Sequence, residues 1–324
     1  MIYVYRICDL VLTSNTVLPE LAPANAFGVN CWFELLPTED RPVDDVDWFH
    51  HWTIEENGEG ESSKDSWLRF GRIANGYLLR FLSCGDFFVS SDTLKIQCRP
   101  LPGTPEVTLR HLLLDQVIPL VLSRRERVVL HASAVLTKHG VVAFAGKSGQ
   151  GKSTLAASFA RGRCALVSDD FLVLRAGQGG WTAIPSYPGM RLWPSTVEEV
   201  LREDTPTWDV AHYTIKRRLG DTNLLPYASG PVPLRRLFFL ADDAGEITVE
   251  KLHPRRTIMA LVEFAYNLDV KDAAFLRRQF DTVVRLTEEV PAYAIHYPRE
   301  FAALPAVRKA IFRNLEEQRD LDAE

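Results

Sequence analysis

Short runs rich in aromatic and β-branched residues punctuate the first hundred positions: YVYRI from Tyr3, SWLRFGRI from Ser66, YLLRFL from Tyr77, FFVS from Phe87 and LKIQC from Leu94. Runs of this length between turn signals predict strands, and the stretch reads as a β-rich N-terminal domain over residues 1–103. Asn75-Gly76 is a hairpin cue, because both residues tolerate positive φ. Residues 55–64, EENGEGESSK, have almost nothing apolar to bury and are expected to form a loop.

Pro100, Pro102 and Pro105 mark the boundary to a second domain over residues 104–324. Thr104-Pro105-Glu106 predicts a helix start with a capping hydroxyl and proline in the first turn. Leu109, Leu112, Leu113, Val117 and Leu120 then recur at helical spacing, with Pro119 bending the last turn. Residues 127–130 and 140–145 predict two strands, the second apolar enough to be buried on both faces. A helix over 152–161 follows, with Gly162 as its left-handed terminator, and then a strand over 165–167 that ends at Ser168-Asp169-Asp170. Further on, residues 177–180 predict a hairpin turn, 234–240, 246–252 and 293–297 strands, and 257–266, 273–286 and 304–315 helices, the last amphipathic.

The 324 residues are 46% hydrophobic and 24% charged with a formal net charge of −5, so the chain offers no global basic field and no nucleic acid partner is expected. Five cysteines without CxxC spacing point to a reducing, cytoplasmic setting. No apolar run approaches the ~18 residues that span a bilayer, so no membrane partner is expected either. A homo-oligomer is left open.

The chemistry is carried by Gly146-Lys147-Ser148-Gly149-Gln150-Gly151-Lys152-Ser153, which fits GxxxxGK[ST] at every fixed position. Its glycines let backbone N–H groups turn inward onto phosphate oxygens at a helix N-terminus. Lys152 supplies a charge for the β- and γ-phosphates of ATP, and Ser153 a hydroxyl for Mg²⁺. The bland alternative, a glycine turn between strand and helix, leaves Lys152 and Ser153 unexplained. Asp169 and Asp170 end a buried strand and are expected at the carboxyl edge of the sheet beside this loop. One acid suffices for the metal, and the other is free to accept a proton from an attacking hydroxyl, whereas a bland reading has the pair cap a turn.

The stretch LHASAVLTKHGVVAFAGKSGQGKSTLAASFARGRCALVSDDFLVL, residues 130–174, resembles the core of the HPr serine kinase/phosphorylase family, and most of all its HPr-kinase-related branch, which includes lasso-peptide tailoring kinases. YPGMRLW, residues 187–193, resembles a further motif of that branch, and the N-terminal unit resembles it loosely. The resemblance implies an α/β P-loop kinase domain of the HPr kinase and phosphoenolpyruvate carboxykinase type, Mg²⁺ dependence and phosphoryl transfer from ATP to a serine hydroxyl. Carried over by position, residues 146–153 with Thr154 hold the nucleotide, Ser153 and Asp169 the metal, and Asp170 is the base, a split between the two acids that could be reversed. His131 stands at the edge of the site or is a hydrogen-bonded core histidine. Arg191 stabilises transferred charge or stacks near Trp193.

Two departures matter: Thr154 stands where the classical enzymes carry glutamate, which puts the reverse phosphorylase activity in doubt, and the family's later glycine-rich signature is missing. The expected acceptor is therefore a serine in a peptide or small protein other than HPr, such as a ribosomally made precursor. A catalytically silent ATP-binding scaffold and a small-molecule hydroxyl kinase are the competing readings. His50-His51 lacks further metal ligands, and the clusters Lys216-Arg217-Arg218 and Arg235-Arg236 read as solvated faces, with Lys216 the exception closest to a substrate role.

Overall fold

The computed structural model describes residues 1–25, 30–38, 45–53, 66–201, 205–220 and 225–317, with the side chains of 50–53 and 66 left out. The expected loop at 55–64 and the side chains of His50 and His51 lie outside the described residues. The chain divides into two units: 1–126 with 210–214 and 267–276, and 127–209 with 215–266 and 277–324. The helical segment after Pro105 thus groups with the first unit, whereas the sequence placed the boundary at 103.

The first unit is built on one eight-stranded sheet. Its strands are β1 (Tyr3–Ile7), β2 (Leu10–Ser14), β3 (Cys31–Leu35), β4 (Asp47–Thr53), β5 (Ser66–Ile73), β6 (Gly76–Phe81), β7 (Gly85–Ser90) and β8 (Lys95–Pro100), in the order β1-β2-β3-β8-β7-β6-β5-β4. In β7 buried and half-buried positions alternate strictly, as one-sided burial of a strand demands. The β5–β6 turn is Ala74-Asn75, and Gly76 already pairs with Ile73. Gly76 has the expected positive φ, at 153°, and glycine is required there for a second reason as well: a Cβ would lie 2.0 Å from the Val89 carbonyl oxygen.

The helix after Pro105 is α1 (Glu106–Leu112), a π-helical turn (Leu113–Val117) and α2 (Ile118–Ser123). Pro119 has no N–H to give to the turn before it, and the ladder widens there instead of breaking. The expected cap at Thr104 is not formed: its hydroxyl donates to the Cys84 carbonyl at 2.9 Å, and Pro105 occupies the N-cap.

The second unit is a mixed α/β fold. Its main sheet contains β9 (Val128–Leu130), β10 (Ala132–Thr137), β11 (Gly140–Ala145), β12 (Ala165–Ser168), β13 (Leu172–Gly177) and β14 (Gly180–Ile184). A small three-stranded sheet follows from β15 (Met190–Leu192), β16 (Trp208–Asp209) and β17 (Arg217–Leu219), after which β18 (Val232–Asp243), β19 (Thr248–Lys251) and β20 (Ala292–Tyr297) return to the main sheet. The helices are α3 (Lys152–Arg161), α4 (Pro194–Val200), α5 (Pro254–Phe264), α6 (Ala273–Glu289), whose first four residues group with the first unit, and α7 (Leu304–Glu317). No helix among the described residues is long and apolar enough to cross a membrane.

The sheet runs β12-β10-β11-β18-β14-β13-β9, with β20 on β18 and β19 on β20. Strand β10 is antiparallel to both β11 and β12, so β11 and β12 run the same way, and β18 and β20 run parallel to β11. Four strands therefore end at one edge, where β10 begins. Both faces of β11 are buried: Val142 and Phe144 pack with Leu155 and Phe159 of α3 and Val307 and Ile311 of α7, while Val141, Ala143 and Ala145 join Leu261 of α5 and Leu286 of α6. Two-sided burial is why this strand is an unbroken apolar run. Helix α3 ends differently from the expectation. Gly162 has φ −78°, and Arg163 takes the left-handed conformation at 69°.

Candidate active site

Strand β11 delivers Gly146 at the sheet edge, and the chain then turns through residues 146–151 into α3. Gly149 and Gly151 have φ of 80° and 88°, conformations that L side chains resist, so glycine is the residue these positions admit. Lys147, Ser148 and Gly149 are exposed, whereas Lys152 is only 6% exposed. The polar groups of the loop bond to one another. Lys152 Nζ donates to the carbonyls of Gly146 at 2.8 Å and Lys147 at 2.9 Å, and the Gln150 amide oxygen accepts from Lys147 N at 2.7 Å. Burial, and next the attraction of Asp170 opposed by the repulsion of Lys216, bring the Lys152 ammonium to a pKa of about 8.

Strand β12 brings the acids to the same edge. Asp169 accepts from Ser133 Oγ at 2.7 Å and from Arg191 N at 2.9 Å, and Ser153 is a further hydrogen-bond partner. Burial, followed by the charge of Asp170, raises its pKa above the ordinary carboxylate value. Asp170 adopts φ 63° just after the strand, a conformation uncommon outside glycine, and its side chain is 18% exposed against 2% for the Asp169 residue. Arg191 Nε lies 2.8 Å from Asp170 Oδ2, an ion pair at contact distance, and Nη1 donates to Tyr187 Oη at 2.9 Å.

His131 immediately precedes β10. Ala132 pairs with Ala145, the residue before Gly146, and the His131 backbone N donates to the Phe264 carbonyl at 2.7 Å. Its Nδ1 lies 3.3 Å from Tyr266 Oη. Although the residue is partly exposed, the protein packed around the ring, and next the charge of Lys152, push its pKa down to about 3, so the imidazole is neutral at physiological pH. Tyr266 is itself raised by burial and then by the charge of Asp170.

The structure thus gathers Lys152, Ser153, Asp169, Asp170, Arg191 and His131 around one sheet edge. Thr154 is turned elsewhere: its hydroxyl lies 3.1 Å from that of Thr196 on α4. The stacking considered for Arg191 near Trp193 falls to Lys216, whose ammonium sits 5.5 Å from the centre of that ring. Ser133 and Tyr266 were not singled out from the sequence. Ser133 becomes visible only with the register, because Ala134 pairs with Ser168 and thereby puts Ser133 beside Asp169.

The donor set suits a small hard cation, with a hydroxyl and a buried carboxylate in contact whose burial a positive charge would relieve. No group of three or more His, Cys, Asp or Glu side chains arranged to hold a metal ion occurs among the described residues, at this edge or elsewhere. The glycine loop with its buried lysine suits a polyphosphate.

Among solved structures, the chain is similar to the HPr(Ser) kinase/phosphatase from Coxiella burnetii, at 11% identity over 60% of this chain and 94% of that one, with a TM-score of 0.34. That score is too low to bear on the chemistry of this chain. No family model matches the sequence, and no curated protein matches it.

Proposed function

We propose that this protein is a phosphotransferase that moves the γ-phosphoryl group of ATP, with Mg²⁺, to a serine hydroxyl of a peptide or small protein. The observation that carries the reading is the convergence of the Lys152 loop and the Asp169–Asp170 pair at one sheet edge, with the more exposed acid facing out. The serine acceptor rests on the family resemblance of residues 130–174.

Residues 146–151 would cradle the phosphates with backbone N–H groups once Gln150 releases Lys147 N, and Lys152 would exchange its loop carbonyls for phosphate oxygens. Ser153 and Asp169 would hold Mg²⁺, which when bound neutralises charge on the β- and γ-phosphates. Asp170 would take the proton from the serine hydroxyl as its oxygen bonds to the γ-phosphorus and the bond to the β-bridging oxygen breaks, leaving ADP. Arg191 orients both acids, the first through its backbone N–H and the second through its guanidinium. His131, held neutral, adds no charge to the edge and leaves the field there to Lys152 and the acids.

Incubation with γ-labelled ATP, Mg²⁺ and serine-containing peptides should transfer label to peptide. Asp170→Asn should abolish transfer while leaving ATP affinity intact. Normal transfer by that variant would sink the assignment of the base, and ATP binding without transfer to any hydroxyl would favour the silent scaffold.

A further inference from the structure

We propose that Arg299, stacked on Tyr297, is the seat for a purine base of the bound triphosphate, an inference that rests on the nucleotide reading of residues 146–153. The acids lie toward β12, so the phosphoryl group to be transferred points that way. The rest of the nucleotide then leaves the loop on the opposite flank, where β18 and β20 end at the same edge as β11. That flank touches the loop. A Cβ on Gly146 would sit 3.2 Å from Leu240 Cβ, and one on Gly151 would sit 3.6 Å from Tyr297 Oη.

The Arg299 guanidinium lies 4.0 Å from the centre of the Tyr297 ring. Its Nη2 donates to the Ala241 carbonyl, and its backbone N donates to Asp243 Oδ1 at 3.2 Å, so the residue is pinned across the ends of both strands. Tyr297 is 2% exposed and Arg299 partly exposed, which makes the planar cation the accessible end of the stack. An arginine that merely clamps a sheet end explains the stacking and the bond to Ala241. It does not explain Nη1, which is out of solvent and has no hydrogen-bond partner among the described residues. Buried donors are rarely left unspent without a ligand or a functional reason. The ring-nitrogen or carbonyl acceptors at a purine's edge offer the in-plane Nη1 N–H the partner it lacks, while the Tyr297 ring holds the guanidinium plane in place.

The test is calorimetric titration of the full chain with Mg-ATP and, separately, with Mg-tripolyphosphate, which carries the phosphates and no base. Arg299→Ala should weaken ATP binding by about tenfold and change tripolyphosphate binding less than about twofold. Arg299→Lys keeps the charge and loses the plane, so it should resemble the alanine variant and serves as the readout if that variant does not fold. Lys152→Met should weaken both ligands. An ATP affinity unchanged by Arg299→Lys and Arg299→Ala, or an equal loss for both ligands, overturns the base seat while leaving the loop reading intact. Failure of the unsubstituted protein to bind either ligand overturns the loop reading itself, and the seat with it.

Discussion

Replacing Lys152 with methionine keeps the aliphatic volume at the start of α3 and removes the ammonium. In the folded protein that group has a pKa of about 8 instead of 10.5, chiefly because it is buried. Holding it charged costs the folded state about 3 kcal/mol at pH 7. The methionine variant also gives up the bonds to the carbonyls of Gly146 and Lys147, of which Lys147 is exposed and readily hydrated. The net expectation is a ligand-free variant more stable than the parent by about 1–3 kcal/mol at pH 7, or roughly 3–8 °C for a unit of this size. The gain must depend on pH in one direction. Above pH 8 the folded parent sheds the proton while its unfolded chain keeps it to about 10.5, so the parent gains stability across that window and the difference narrows. Calorimetric scans at pH 7 and pH 9.5, with and without Mg-ATP, read all of this. A variant less stable than the parent at pH 7, or a gain that does not change with pH, refutes the reasoning; so does stabilisation of the variant by Mg-ATP equal to that of the parent.

Arg191→Met leaves Asp169 and Asp170 adjacent without the guanidinium between them and Tyr187, and should destabilise the second unit by about 3–5 kcal/mol in urea unfolding. Adding Asp170→Asn should recover part of that loss, and full additivity of the two changes would refute the coupling. All five cysteines are free, and Cys8, Cys31, Cys84 and Cys98 are buried, with burial pushing the Cys31 thiol up to about 11. An aromatic disulfide reagent at pH 8 should therefore titrate Cys164 first, itself raised but half-buried, and reach the other four only on unfolding; rapid reaction of several thiols would contradict this burial.

The loop and the acids could be read from the sequence because their chemistry is local: a glycine spacing into a helix, and two carboxylates closing a short apolar strand. Strand β10 could not. Its ASAVLT is composed largely of small residues, and nearly every position is buried, so no period-2 alternation marks it. The sheet of β15, β16 and β17 was hidden for another reason: its strands are two or three residues long, and Arg191 meets Arg218 across 27 positions of chain. Ser133 was missed with β10, since its partnership with Asp169 is a property of register alone. Gly162 shows the limit of residue preference near a helix end, where the left-handed turn falls one position later, on Arg163. The helix after Pro105 was read as continuous, and its π turn has no compositional mark besides Pro119.

The β10–β11 hairpin closes through Lys138-His139, at the end of the sheet remote from the candidate site. Those two residues act as a ruler for it. Inserting or deleting one residue there would slide β10 by a position over its ~20 Å length, shift His131 at its start, and turn Ser133 from Asp169 to the other face. Length polymorphism at this turn would thus be more damaging than its surface position suggests, while substitutions that preserve its length should be tolerated. A library varying residues 138 and 139 in identity and in number would separate the two effects.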